Sequence, residues 1–178
     1  DPGKVRKINS VSAILLDGSI VHYEVLGRGR PVIFLHGWLG SWRLWIFPMQ
    51  VISIQFRSYA LDLWGFGDSA HRRESYSIEH HAQMLRQFMD KLGIGKIALI
   101  GHSLGGLVAF RFAARWPESV DRLMAISTPL EATSISPRWI NASLPDLVNW
   151  LTPRSPEVRE ALSDALRADP QALATSLQ

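Results

Sequence analysis

Residues 100–106 read IGHSLGG, and the interpretation of this stretch decides the fold. Ser103 has glycine two positions away on each side, at Gly101 and Gly105. Before it, Lys96 to Ile100 reads as a strand; after it, Leu104 to Trp116 is apolar almost all round. Such a helix is expected to be buried, with Arg111 and Arg115 on its one wet stripe near the C-terminal end, where positive charge is favourable. Pro117 closes it. A serine set between strand and helix, with small residues where the backbone is crowded, is the geometry that exposes a nucleophilic hydroxyl. The helix start also aims amide N–H groups and a positive dipole end at the turn, which favours a developing oxyanion.

Working outward, the same alternation recurs. Val11 to Leu16 and Ser19 to Val25 flank Asp17-Gly18, which predicts a β-hairpin. Val32-Ile33-Phe34-Leu35 is a short continuous apolar run, as expected of a strand buried on both faces, and it stops at His36-Gly37. Residues 41 to 55, rich in Trp and Ile, are compatible with a helix that Pro48 delays or breaks. Arg57 to Leu61 reads as a strand leading into Asp62-Leu63-Trp64-Gly65-Phe66-Gly67. Ser77 caps a helix carrying Ile78, Ala82, Leu85, Met89 and Leu92 on one face, and Gly93 ends it. Val120 to Ser127 is a further strand. A hairpin followed by alternating strands and helices specifies an α/β fold: a mostly parallel sheet with helices on both faces, here over residues 1–128.

Beyond residue 128 the texture changes. Prolines 129, 137, 145, 153 and 156 divide the chain into short pieces. Ser155-Pro156-Glu157 reads as a helix start, with Val158, Leu162, Ala165 and Leu166 as its apolar stripe, and Asp169-Pro170 as another. Residues 129–178 are therefore expected to form a helical segment apart from the sheet.

Composition narrows the function classes. The chain has 178 residues and a net charge of +3 at pH 7, spread along its length, which argues for a solvated surface and against a nucleic-acid patch. It has no cysteine, so disulfides, thiolate metal sites and a cysteine nucleophile are excluded. No apolar run approaches a membrane span, and Asp1-Pro2-Gly3-Lys4 lacks a signal pattern. A cytoplasmic location is the expectation.

Three landmarks, HGW at 36–38, DLWGFGDS at 62–69 and GHSLGG at 101–106, resemble in order and spacing the α/β-hydrolase superfamily. The similarity is to its compact esterases and its haloperoxidase-like and epoxide-hydrolase-like enzymes, and it covers roughly residues 10 to 130. It implies Ser103 as nucleophile and the backbone amides of Trp38 and Leu104 as the oxyanion hole, with no cofactor and no metal. His36 is expected to brace its loop by hydrogen bonding, Asp62 and Asp68 to be structural, and Trp38 to line the pocket. Residues 129–178 would begin the family's helical cap. Serine at 103 disfavours the members that use an aspartate nucleophile, such as dehalogenases and epoxide hydrolases.

The remaining question is the base. His102 adjoins Ser103, and the turn should direct the two side chains apart. The other histidines, 22, 36, 71, 80 and 81, precede the serine, whereas the family's order is serine, acid, histidine. Glu131 would be the acid only in the variant that places it after the sixth strand. The acid and histidine are thus expected outside this chain, in a continuation past Gln178 or in a complementing segment, unless the protein is a non-catalytic relative. The expected function is cleavage of small or medium carboxylic esters through an acyl-enzyme, with carbon–carbon hydrolysis, perhydrolysis or ligand binding as alternatives. The 178-residue portion alone is expected to be inactive and prone to self-associate, through a homo-oligomer or an uncovered sheet edge.

Overall fold

The computed structural model describes residues 12–72, 74, 76–141, 146, 163 and 167–175. Six strands form one sheet in the order β1-β2-β4-β3-β5-β6. They are β1 (Ser12–Leu16), β2 (Ser19–Leu26), β3 (Arg30–Leu35), β4 (Phe56–Leu61), β5 (Ile97–His102) and β6 (Val120–Ile126). The hairpin β1–β2 is antiparallel and joins β4 antiparallel, with Glu24 opposite Ala60. From β4 to β6 all pairings are parallel: Phe34 stands opposite Ala60 on one side and Ile100 on the other. Asp17 and Gly18 both take positive φ, as a two-residue hairpin turn requires.

The alternation of β3 shows why the sheet needs helices on both sides. Ile33 and Leu35 point into a core built with Leu85, Phe88 and Met89 of helix α2 (Ile78–Leu92) and with Val108 and Phe112 of helix α3 (Leu104–Arg115). Val32 and Phe34 point the other way, against Trp45 and Met49. Those two residues belong to a 3-10 turn, Trp42–Trp45, and to helix α1 (Ile46–Ile52). The delay expected from Pro48 is explained: the α-helix begins only at Ile46, so Pro48 sits in its first turn, where its missing N–H leaves no bond unmade.

Caps and charges follow the sequence reading. The Ser77 hydroxyl accepts from the His80 amide, and Gly93 ends α2 in the left-handed region at φ 67°. Arg111 and Arg115 of α3 both reach Glu79 of α2, tying the two helices on their wet side. β5 is longer than expected, running through to His102, so the strand delivers its chain directly into the serine turn. Val11 and the helix expected from Ser155 lie outside the described residues.

Past β6 come a 3-10 turn, Ala132–Ser134, and two short helices, α4 (Pro137–Ile140) and α5 (Pro170–Thr175). α5 returns to the body: Ala168, Ala172 and Leu173 are buried in the same core as α2 and α3. β6 has one neighbour among the described residues, and its Met124 and Ile126 are exposed. Among the described residues no helix is long and apolar enough to cross a membrane.

Candidate active site

Ser103 stands between β5 and α3 with φ 49° and ψ −115°, a backbone conformation that L-residues avoid. The turn is held by the Ser103 amide, which donates to the Ile126 carbonyl at 2.9 Å, and by the Gly106 amide, which donates to the Ser103 carbonyl at 3.0 Å. Its glycines are required by close approach. A Cβ on Gly105 would overlap the carbonyls of Leu35 and His36, and one on Gly101 would overlap the Gly105 carbonyl.

The loop after β3 packs directly on this turn. A Cβ on Gly37 would lie 2.5 Å from His102 Nδ1 and 3.0 Å from Ser103 Cβ. Trp38 and Ser103 line one cavity of about 550 Å³, together with Leu39, Ser127, Thr128 and Pro129 and the wall Ser134–Ser136. The structure therefore brings together Ser103, the first turn of α3 that opens at Leu104, and the Trp38 loop. Trp38 also holds the returning segment, its indole Nε1 donating to the Leu173 carbonyl at 3.0 Å.

Backbone strain gathers at this cavity. Among the described residues four non-glycine positions have positive φ, and three of them, Leu39, Ser103 and Ser127, are cavity residues. The fourth, Asp17, belongs to the hairpin turn. Ser127 and the Ser134–Ser136 wall had no sequence signal beyond their place after a strand. Their role follows from the parallel sheet, which gathers sites at the carboxyl ends of its strands.

His36 braces the loop as expected, and its partners fix its tautomer. Its Nε2 accepts from the Leu63 amide at 3.0 Å, so Nδ1 carries the proton and donates to the Gly37 carbonyl at 2.8 Å. Beside it lies a buried polar cluster that the sequence reading found only in part. Asp62 accepts from the Trp42 amide at 2.7 Å, the Asp68 amide at 3.0 Å and His22 Nδ1 at 2.9 Å. A Cβ on Gly67, at φ 54°, would strike the Asp62 carboxylate, which explains a glycine there. Nε2 of His22 faces Glu24 at 3.4 Å. Burial acts to lower the His22 pKa, but the hydrogen bond and charge of Asp62, with Asp68 and Glu24, raise it above its ordinary value. Burial pushes the Glu24 carboxyl up, against the opposing effect of His22.

His22, Asp62 and Asp68 are the one grouping with metal-like spacing among the described residues. They do not fit an ion: Asp62 already accepts from two backbone amides and His22, and the Asp68 carboxylate accepts from Arg43 at 3.2 Å and Arg167 at 3.1 Å. This cluster is scaffold for the 36–42 loop.

None of the histidines is set to activate Ser103, and His71 is exposed and outside the described residues that line the cavity. His22 and His36 are engaged in the cluster, His80 pairs with the Ser77 hydroxyl, and His81 is sealed in the core. The ring of His102 packs under Gly37, outside the residues that line the cavity. Glu131 is exposed, with its carboxylate accepting from Thr133 at 3.2 Å. The described residues that line the cavity carry no titratable side chain.

Comparison with known proteins places this geometry in a family. Residues 30–152 match the family model described as alpha/beta hydrolase fold. A soluble epoxide hydrolase of Corynebacterium sp. (strain C12) is 36% identical over 112 residues, covering 63% of this chain and 39% of that relative. The solved structure of the epoxide hydrolase CorEH superposes with TM-score 0.79 at 27% identity, over 95% of this chain and 74% of that one. The N-acyl homoserine lactonase AidH superposes equally well, with TM-score 0.79 and 25% identity over 94% of this chain and 68% of that one. The chain thus spans well under half the length of the Corynebacterium enzyme. On the match over residues 30–152 and on these relatives, it belongs to the α/β-hydrolase fold family, in the epoxide-hydrolase-like branch.

Proposed function

We propose that this chain carries the nucleophile half of a serine hydrolase that cleaves carboxylic esters, lactones included, through an acyl-enzyme on Ser103. The observation that supports it most is Ser103 itself, strained at φ 49° and lining one cavity with Trp38. Its oxygen would attack the ester carbonyl, the Trp38 and Leu104 amides would hold the oxyanion, and the alcohol would leave with a proton. Water attacking the acyl carbonyl then frees the acid and restores the serine.

The choice of ester over epoxide rests on the atom at position 103. A carboxylate that opens an epoxide forms an ester, and water can attack that carbonyl to regenerate the enzyme. A serine oxygen that opens an epoxide forms an ether, with no carbonyl for water to attack, and the enzyme is spent. Serine therefore favours acyl transfer even though the epoxide hydrolases are similar in sequence. The lactonase at 25% identity is similar in fold and acts on an acyl bond by its name.

The proton shuttle and the acid that orients it are assigned to polypeptide outside this sequence, either continuous with it or complementing it. Residues 129–178 are read as part of a cap over the cavity. A second reading, a ligand-binding relative that does no chemistry, is favoured by the absence of titratable side chains in the lining described here. A fluorophosphonate probe separates the two when applied to the protein completed by its remaining segment. Labelling that disappears in Ser103→Ala supports the hydrolase; a wild-type protein that is never labelled leaves the binder. The 178-residue chain alone should show little or no ester turnover, and strong turnover would refute the assignment of the base to another segment.

A further inference from the structure

The crowding of the serine turn accounts for Gly101 and Gly105, but Gly106, the last residue of GHSLGG, has a different reason. It is buried in the first turn of α3, where glycine is a poorer helix former than alanine. A Cβ on Gly106 would overlap Thr128 Oγ1 and lie 2.9 Å from both Thr128 Cβ and Thr128 Cγ2. These nearest neighbours all belong to one side chain, delivered by the chain leaving β6. Residue 106 is glycine because Thr128 occupies its side-chain space.

Thr128 is tied to the nucleophile turn a second time. The Ser103 amide donates to the Ile126 carbonyl at 2.9 Å, and the Thr128 hydroxyl donates to the same oxygen at 3.3 Å. Between them Ser127 takes φ 47°, in the left-handed region that a serine ordinarily avoids. That residue bends the chain so that the Thr128 hydroxyl reaches back to the carbonyl two positions earlier. Such a conformation persists where its surroundings over-determine it. Ser103 and Ser127, both strained, are therefore linked through one carbonyl oxygen and one threonine side chain.

We propose that Thr128 is a positioning residue for Ser103. Its hydroxyl holds the Ile126 carbonyl toward the Ser103 amide, while its γ-oxygen and methyl bear on Gly106. The Gly106 amide in turn donates to the Ser103 carbonyl, so the turn is gripped from the strand side and from the helix side. Oxygen is needed at the γ position, because a methyl group there is larger and donates nothing. The effect on rate rests on the reading of Ser103 as nucleophile, whereas the effect on geometry does not.

Hydrogen exchange read by NMR tests the geometry in the 178-residue chain, with three variants. Thr128→Ser keeps the γ-oxygen, Thr128→Val replaces it by a methyl group, and Gly106→Ala displaces the threonine from the helix side. The Ser103 amide should exchange about tenfold faster in Thr128→Val and in Gly106→Ala, and within about twofold of wild type in Thr128→Ser. Ile33 and Leu99 should keep their protection in all three. In the protein completed by its remaining segment, fluorophosphonate labelling of Ser103 should slow in the same order. A wild-type protein that is never labelled ends the hydrolase reading, and exchange at the Ser103 amide still decides the positioning. Unchanged Ser103 exchange in both Thr128→Val and Gly106→Ala overturns the proposal. So does Thr128→Ser exchanging as fast as Thr128→Val, or equal acceleration at Ile33 and Leu99. Thr128 also lines the cavity. A KM for p-nitrophenyl acetate raised in Thr128→Val, at unchanged kcat and unchanged Ser103 exchange, would therefore make it a substrate contact instead.

Discussion

His22 Nδ1 donates to Asp62 Oδ2 at 2.9 Å, and the other oxygen of the same carboxylate accepts from the Trp42 amide at 2.7 Å. One buried acid thus joins the β1–β2 hairpin to the loop that carries Gly37 and Trp38. His36 lies 4.0 Å from the same carboxylate and bonds the Gly37 carbonyl. The position of the proposed oxyanion donor is therefore set by residues well away from the cavity.

Removing that acid should be expensive. Asp62→Ala leaves two backbone amides and a buried, proton-holding His22 without their acceptor, and breaking a buried pair in this way costs about 3–5 kcal/mol. Asp62→Asn keeps an acceptor oxygen and should lose less. Urea unfolding followed by circular dichroism measures both, and an Asp62→Ala protein as stable as wild type would remove the cluster from the scaffold.

Acid should destabilise the fold through His81. Its ring is fully buried, neither nitrogen has a partner among the described residues, and burial, reinforced by His36 and His80, pushes its pKa down to about 3. The unfolded chain takes up a proton near pH 6.5 that the native chain refuses until about pH 3. Stability is therefore lost as pH falls from 6.5 towards 3. His22 and Glu24 have the opposite sign: their raised native pKa values stabilise at low pH and that stability is lost as pH rises through them. His81→Leu should flatten the acid limb between pH 6.5 and 4, and should add about 1–3 kcal/mol at neutral pH by removing unpaired polar atoms. Denaturation curves at several pH values decide it; an acid limb as steep in the variant as in wild type would assign the effect to other groups.

Gly105→Ala should break the elbow without touching the nucleophile. The new methyl group would occupy the space of the Leu35 and His36 carbonyls, so α3 must move away from β3. Overpacking of this kind costs about 1–3 kcal/mol and occasionally more. In a chain of this size, each kcal/mol lowers Tm by about 2–4 °C. A variant with wild-type Tm would show that the close approach is not rigid.

The elbow was legible because it is local: strand, crowded turn and helix lie within twenty residues and leave their pattern in glycine and apolar spacing. The hairpin and the ends of α2 were legible for the same reason. His22 was not, because its partner Asp62 meets it only after β2 and β4 pair, and a histidine in an alternating strand reads as an exposed residue. The cavity wall was hidden likewise, since Ser127, Ser134 and Ser136 are ordinary loop serines until the parallel sheet places their loop beside Ser103. His80 and His81 are neighbours in sequence, yet α2 turns His81 inward beside Ala82 and Leu85 and leaves His80 exposed.

Tyr76→Phe should loosen the segment that returns over the site. Tyr76 Oη donates to Asp169 Oδ2 at 2.6 Å in a buried setting, and the Asp169 amide donates to the Gly65 carbonyl at 2.8 Å. These bonds, with Trp38 Nε1 on the Leu173 carbonyl, hold residues 167–175 against the loops that carry Trp38 and Gly65. Phenylalanine keeps the ring and removes the donor, so the Asp169 carboxylate stays buried with one partner fewer, at about 1–3 kcal/mol. That loss falls on the local opening of the segment before it reaches the sheet. Hydrogen exchange should therefore speed up at the Asp169 and Leu173 amides by about tenfold or more, a factor of ten being 1.4 kcal/mol, while Ile33 and Leu99 in the central strands keep their protection. Uniform acceleration across the chain would mean that this segment unfolds only with the core, and unchanged exchange would mean that the Tyr76 bond does not hold it.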